Sequence, residues 1–150
     1  KNIIISFHFY NPFMFTHYRA SWTDMKDIPC TIHYPGNLIS DNDFAAMEQS
    51  MKNRYGYAAG KNGYNDINTL ENQIKQAFDA ATQLGKKAYL GEFGAIHGAP
   101  EKDRIQWYKD IVSICEKYGI GYANWDYKGG FGIIRNNEKQ QQMIDVLTGK

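Results

Sequence analysis

Ala88-Tyr89-Leu90-Gly91-Glu92-Phe93-Gly94-Ala95 is the stretch on which the fold turns. A short apolar run leads into a carboxylate with Gly91 before it and Gly94 two residues after it. A buried strand that ends in Glu-x-Gly presents one acid at its C-terminal tip, and the glycines let backbone and ligand approach closely. Barrel enzymes carry their catalytic groups at such tips.

The pattern occurs twice more. Ile3-Ile4-Ile5-Ser6-Phe7 runs into His8-Phe9-Tyr10-Asn11-Pro12, and Ile120-Gly121-Tyr122-Ala123 runs into Asn124-Trp125-Asp126-Tyr127. Strand side chains alternate between faces. Ser6, His8 and Tyr10 are therefore expected on one face, Ala88, Leu90 and Glu92 on one, and Gly121, Ala123 and Trp125 on one. If these faces converge, a Glu, a His, a Tyr and a Trp meet in one site.

Between the strands the periodicity is helical. Ile67, Leu70, Ile74, Ala77, Phe78 and Ala81 predict a helix over 66–84, with Asn65 or Asp66 as cap and Gly85 as stop. Pro100-Glu101 opens a second helix, with Ile105, Tyr108, Ile111, Val112 and Cys115 on its stripe and Gly119 at its end. A last helix is predicted over 138–147. Residues 11–65 form a long connection with one helical patch over 43–55, and connections of that length are usually functional. Strand and helix alternate three times, which implies parallel strands in an α/β fold.

Three such units are part of a closed sheet, since an eight-unit barrel takes ~250 residues. Residues 1–150 are therefore expected to be the C-terminal portion of a larger barrel, a partial (β/α)8 TIM barrel holding about its last three βα units. The chain opens at Lys1, just before a strand, so upstream processing or trimming is expected. An inner face bearing Ile, Phe and Leu, with two open sheet edges, calls for a docked N-terminal barrel fragment or a homo-oligomer.

Net charge is +1 over 150 residues, with no basic stripe, so no nucleic-acid partner is expected. No apolar run approaches the ~20 residues that cross a bilayer, so no membrane partner is expected. Cys30 and Cys115 form no redox or metal motif, and Cys115 lies on a helix stripe as a small hydrophobe. His17, His33 and His97 fit no ligand spacing, so neither metal nor cofactor is expected. Gly129-Gly130-Phe131-Gly132 lacks the Lys-Ser/Thr of a nucleotide loop and reads as a turn, with phosphate binding as an alternative. Aromatic residues make up 15% of the chain, and several lie beside strand tips, where flat rings suit sugar faces.

Glu92 is the sharpest candidate: a carboxylate facing an anomeric carbon can act as a nucleophile. His8 and Tyr10 can hold it ionised and oriented by hydrogen bonds. Trp125 is a natural stacking platform for a sugar.

At these residues the chain resembles glycoside hydrolase family 5, the cellulase-type endoglucanases. His8-Phe9-Tyr10-Asn11-Pro12-Phe13, Phe15-Thr16-His17 and Ala20-Ser21-Trp22 look like that family's strand-six region. Leu90-Gly91-Glu92-Phe93-Gly94 looks like its nucleophile motif, and Asn124-Trp125-Asp126 with Phe131-Gly132 looks like strand eight. The resemblance implies a (β/α)8 fold, a secreted enzyme and retaining hydrolysis of β-linked glucans or mannans. It implies Glu92 as nucleophile, Tyr10 as its hydrogen-bond partner, His8 as a site-lining polar group, and Trp125 and Trp22 as substrate-binding surfaces. Tyr18-Arg19 departs from the pattern. So does the absence of the Asn-Glu-Pro motif that carries the family's acid/base: Asn137-Glu138 runs into Lys139, in what reads as a helix start. A non-catalytic carbohydrate-binding fragment is the alternative.

Overall fold

The structure, a computed structural model, describes residues 2–150. Strand β1 (Ile4–Phe9), β4 (Lys87–Phe93) and β5 (Gly121–Asn124) form one parallel sheet in the order β1-β4-β5. Helix α4 (Ile67–Gln83) connects the first two and α5 (Glu101–Tyr118) the last two. These right-sized crossovers, each ending at a glycine, let the strands run parallel. Asp66 caps α4 by accepting from the Thr69 N–H at 2.9 Å, which satisfies one otherwise free amide. Gly85 and Gly119 take positive φ (62° and 63°) at the two helix exits, where a Cβ would be strained.

Residues 11–65 are better ordered than a long loop. They hold a one-turn helix α1 (Phe13–Thr16), helices α2 (Asp41–Ala46) and α3 (Gln49–Tyr55), and two short 3₁₀ turns. The two-residue strands β2 (Gly36–Asn37) and β3 (Tyr64–Asn65) pair antiparallel and bring the excursion back to α4. The predicted patch over 43–55 is thus two helices, separated at Met47–Glu48. Ile32, Ile39 and Tyr55 are fully buried within this excursion, and the Tyr34 hydroxyl donates to Asp110 Oδ2 on α5 at 2.6 Å. Both cysteines are free and buried, and burial pushes the Cys115 thiol up to about 12.

The main core lies between sheet and helices. Leu70 and Ile74 of α4 and Trp107, Tyr108 and Ile111 of α5 are buried against Phe9, Leu90 and Phe93. The other sheet face is open. It carries Ile4, Ser6 and His8, and Gly121 lies over the ring of Tyr89 there. The expected open face of Ile, Phe and Leu is therefore mixed instead. Phe7 and Leu90 turn toward the helices, and Ile4 (62% exposed) is the large aliphatic residue on the open side.

A second difference concerns register. Phe7 pairs with Leu90, but His8 pairs with Glu92, so Gly91 is an extra residue in β4; the pairing with β5 shifts over the same stretch. This β-bulge breaks the alternation. Ala88 and Leu90 are buried under the helices, as is Phe93, while Glu92 turns to the open face beside His8. Ala88, Leu90 and Glu92 consequently do not share a face.

The predicted final helix also starts later. Glu138–Lys139 form strand β7, which pairs antiparallel with β6 (Ile134–Arg135), and α6 spans Gln141–Thr148. The turn between them is Asn136-Asn137, both at positive φ (53° and 64°), the geometry of a tight hairpin that asparagine tolerates. No helix is long and apolar enough to cross a membrane among the described residues.

Candidate active site

Glu92 leaves the tip of the middle strand between two neighbours that each supply a partner. The Tyr10 hydroxyl donates to Glu92 Oε2 at 3.0 Å, and His8 Nδ1 lies 3.4 Å from the same oxygen. Oε1 has no hydrogen-bonding partner among the described residues. One oxygen is thus anchored and the other is free to react. The Glu92 side chain is about 29% exposed, open to a ligand yet partly desolvated.

Tyr10 sits just past β1, where the bulge and the strand end bring it over Glu92. Burial, then the hydrogen bond and the charge of Glu92, push its phenol well above the ordinary tyrosine range. It therefore acts as a permanent donor to the carboxylate. Its own backbone is fixed by Thr16, whose hydroxyl donates to the Tyr10 carbonyl at 2.6 Å and lies 3.0 Å from His17 Nδ1. A hydroxyl that gives its proton to a carbonyl can only accept from the ring, so His17 Nδ1 is the protonated nitrogen. His17 stacks on Phe13 with ring centroids 3.9 Å apart and meets Phe131 edge-on at 5.2 Å. Burial lowers its pKa, which keeps the ring neutral.

The third strand closes the site from the other side. The Trp125 N–H donates to the Phe93 carbonyl at 2.8 Å, so the Trp125 backbone lies directly beside the residue after Glu92. A Cβ on Gly94 would overlap the Trp125 carbonyl, which explains the glycine at this position. Trp125 is 48% exposed and Trp22 64%, both with ring surface free for contact. Trp22 lies 6.4 Å from Phe131, centroid to centroid, and Phe131 lies 6.1 Å from Tyr10. Phe131 thus bridges the Glu92 cluster to the Trp22 ring. The sequence offered Phe131 as part of a glycine-rich turn and of the strand-eight resemblance, and Thr16 as part of a motif, without a role for either side chain. Their contacts depend on loop packing that periodicity does not report.

The histidines do not gather. His17 belongs to the aromatic cluster, His33 Nδ1 contacts Asp103 Oδ2 at 3.0 Å on another face, and both ring nitrogens of His97 are buried without a hydrogen-bond partner. No group of three metal-ligating side chains occurs among the described residues. The remaining glutamates lie elsewhere. Glu71 accepts from Lys117 and Tyr118, Glu101 and Glu116 are on α5, Glu48 precedes α3 and Glu138 is in the hairpin.

Residues 1–130 match the family model for cellulase, glycosyl hydrolase family 5. The chain belongs to glycoside hydrolase family 5. Endoglucanase C of Acetivibrio thermocellus is 33% identical over 153 residues, which cover 97% of this family-5 chain and 43% of that protein. A solved hyperthermophilic endo-β-1,4-glucanase in complex with substrate superposes with a TM-score of 0.72 at 26% identity, covering all of this chain and 40% of that one. Thermotoga maritima Cel5A in complex with cellobiose gives 0.67 at 22% identity, covering 98% and 40%. This family-5 chain therefore spans less than half the length of the relatives it matches. Its three parallel strands and their helices have the backbone arrangement of those larger enzymes.

Proposed function

We propose that this chain carries the nucleophile half of a retaining β-glycanase acting on β-1,4-linked glucan. The observation that carries the proposal is Glu92 at the central strand tip, with Tyr10 at 3.0 Å and His8 at 3.4 Å on one oxygen. In this reading Glu92 Oε1 attacks the anomeric carbon as the glycosidic C–O bond breaks, the leaving oxygen takes a proton from the acid/base, and water, deprotonated by that same group, then hydrolyses the covalent glycosyl ester. Tyr10 holds the carboxylate in line and, as a neutral donor, does not compete for the sugar. Trp125 offers its exposed ring to the sugar bound before the scissile bond, and Trp22 to a sugar farther along the cleft.

Retaining hydrolysis requires a second carboxyl about 5–5.5 Å from the first. None of the other glutamates described above shares a partner with Glu92. We assign the acid/base to the part of a (β/α)8 barrel that these three βα units do not supply, the units themselves being the last three. Release to the outside of the cell accords with a polymeric substrate that cannot enter it.

The test is Glu92→Gln in an assembly that hydrolyses β-glucan. Turnover should disappear while oligosaccharide binding persists, because the amide keeps the shape and loses the nucleophile. Turnover within about tenfold of the parent, a loss smaller than one activated nucleophile provides, would remove Glu92 from the role.

A further inference from the structure

Arg104 is the most unusual buried group outside the Glu92 cluster. It lies in the first turn of α5 and is only 2% exposed. Its Nε is buried without a hydrogen-bond partner, and Nη2 reaches the thioether of Met143 at 3.2 Å, a weak acceptor. No carboxylate comes within 4.0 Å of the guanidinium among the described residues. Arginine cannot shed its proton, and an uncompensated buried cation is strongly destabilising. The Tyr108 hydroxyl is the main group that offsets this charge, and the exposed Glu101 offsets a further part, while the nearby Arg135 adds to the positive field; neither Tyr108 nor Glu101 forms an ion pair with the guanidinium.

Arg104 lines a cleft of about 210 Å³ between α5 and α6, together with Glu101, Lys139, Gln141 and Met143. The start of α6 faces this cleft. Its N-cap, Gln140, makes no side-chain capping hydrogen bond, so the first-turn amides there lack an intrahelical or capping partner. Free amides, the positive end of a helix dipole, a lysine and a buried guanidinium then share one small space.

We propose that this cleft binds a small tetrahedral oxyanion, phosphate or sulfate, with Arg104 as its buried anchor and Lys139 at its rim. The ligand places two oxygens against the planar fork of Arg104 and a third against the amides of α6. The glycine turn at 129–132 is not this site, because the Gly129 amide is already taken by Asp126 Oδ1 at 2.8 Å. The site is separate from Glu92 and does not depend on the glycosidase reading.

Isothermal titration of the purified chain with inorganic phosphate, against chloride at matched ionic strength, tests the proposal. Saturable binding is expected, and sulfate should bind likewise. Arg104→Met, close in volume and neutral, should abolish it while near-ultraviolet circular dichroism reports a retained fold. Lys139→Gln should weaken it by up to about fivefold, the contribution of a rim charge. If Arg104→Met does not fold, Lys139→Gln carries the test. No saturable heat, equal binding by a folded Arg104→Met, or unchanged binding by Lys139→Gln would overturn the proposal.

Discussion

The phenol of Tyr10 and the carboxylate of Glu92 meet at 3.0 Å across 82 residues of sequence. Two features of the backbone produce this contact. The bulge at Gly91 turns Glu92 out of the helix layer, and Thr16 pins the Tyr10 carbonyl from the far side. A one-residue change of register would send Glu92 under α5 instead.

Tyr10→Phe should lower kcat of the active assembly by about 10- to 100-fold, the equivalent of one hydrogen bond to a charged group. KM should move less. The phenol's raised pKa also has a consequence for stability. The folded state holds this proton more tightly than the unfolded chain, so the contribution is fully present below the ordinary tyrosine value of 10.0 and is lost as pH rises through the higher folded value. Ultraviolet titration should find several fewer tyrosines ionising in the ordinary range in the folded parent than in a denatured sample, because burial also raises Tyr34 and Tyr108, and Tyr10→Phe should reduce that difference by one. An unchanged kcat would show that Tyr10 does not orient the carboxylate.

Trp125→Ala should weaken oligosaccharide binding by roughly 1–3 kcal/mol, the scale of other aromatic stacking surfaces. The ring is about half exposed, so the melting temperature should change little. Calorimetry that finds unchanged affinity with a large loss of stability would make Trp125 a packing residue.

His97 sets an acid limit. Burial is the main cause that lowers it to about 4, with the positive charges of Arg104 and Arg135 adding to the effect. Its ring nitrogens are enclosed, and the Gly129 backbone approaches the ring without reaching hydrogen-bond geometry. A base with a depressed folded pKa gives stability that is present above the unfolded value of 6.5 and is lost as pH falls toward 4. Denaturant midpoints should therefore fall between pH 6.5 and 4, and His97→Phe should flatten that slope. An equal slope in the variant would place the acid sensitivity elsewhere.

The open sheet face and edges predict association. β1 and β5 each leave one edge unpaired, and Ile3 (54%) and Ile4 (62%) are exposed at the start of β1. Unpaired backbone groups and exposed aliphatic surface both favour a partner, either the complementary barrel units or a second copy. Light scattering at micromolar concentration should report more than the 17.2 kDa of one chain, or a second polypeptide should copurify. A dispersed monomer that unfolds cooperatively would contradict this.

Much of this architecture could be read in the sequence because its signals are local. The stripe from Ile67 to Ala81, the Asp66 cap and the stop glycines Gly85 and Gly119 each act within one or two turns. Glu92, His8 and Tyr10 were legible as strand-tip groups. The bulge was not, because Gly91 reads equally well as a glycine beside a ligand, and the shift exists only relative to two neighbouring strands. Asn136-Asn137 carries a hairpin signal that the polar, helix-compatible residues after it masked. Arg104 was hidden because its first-turn position on α5 suggests a solvated charge. Met143 of α6 packs against its guanidinium, a tertiary contact that the local sequence does not report.

The most direct measurement is a trapping experiment on the nucleophile alone. A 2-deoxy-2-fluoro-β-cellobioside with a dinitrophenolate leaving group needs no protonation to depart, so it tests Glu92 even without the acid/base. The fluorine slows the breakdown of the ester, which should accumulate. Peptide mass spectrometry should find one glycosyl adduct on the peptide containing Glu92, absent in Glu92→Gln. An adduct on another carboxylate, or none in an assembly that demonstrably binds cellobiose, would contradict the assignment of Glu92 as the nucleophile.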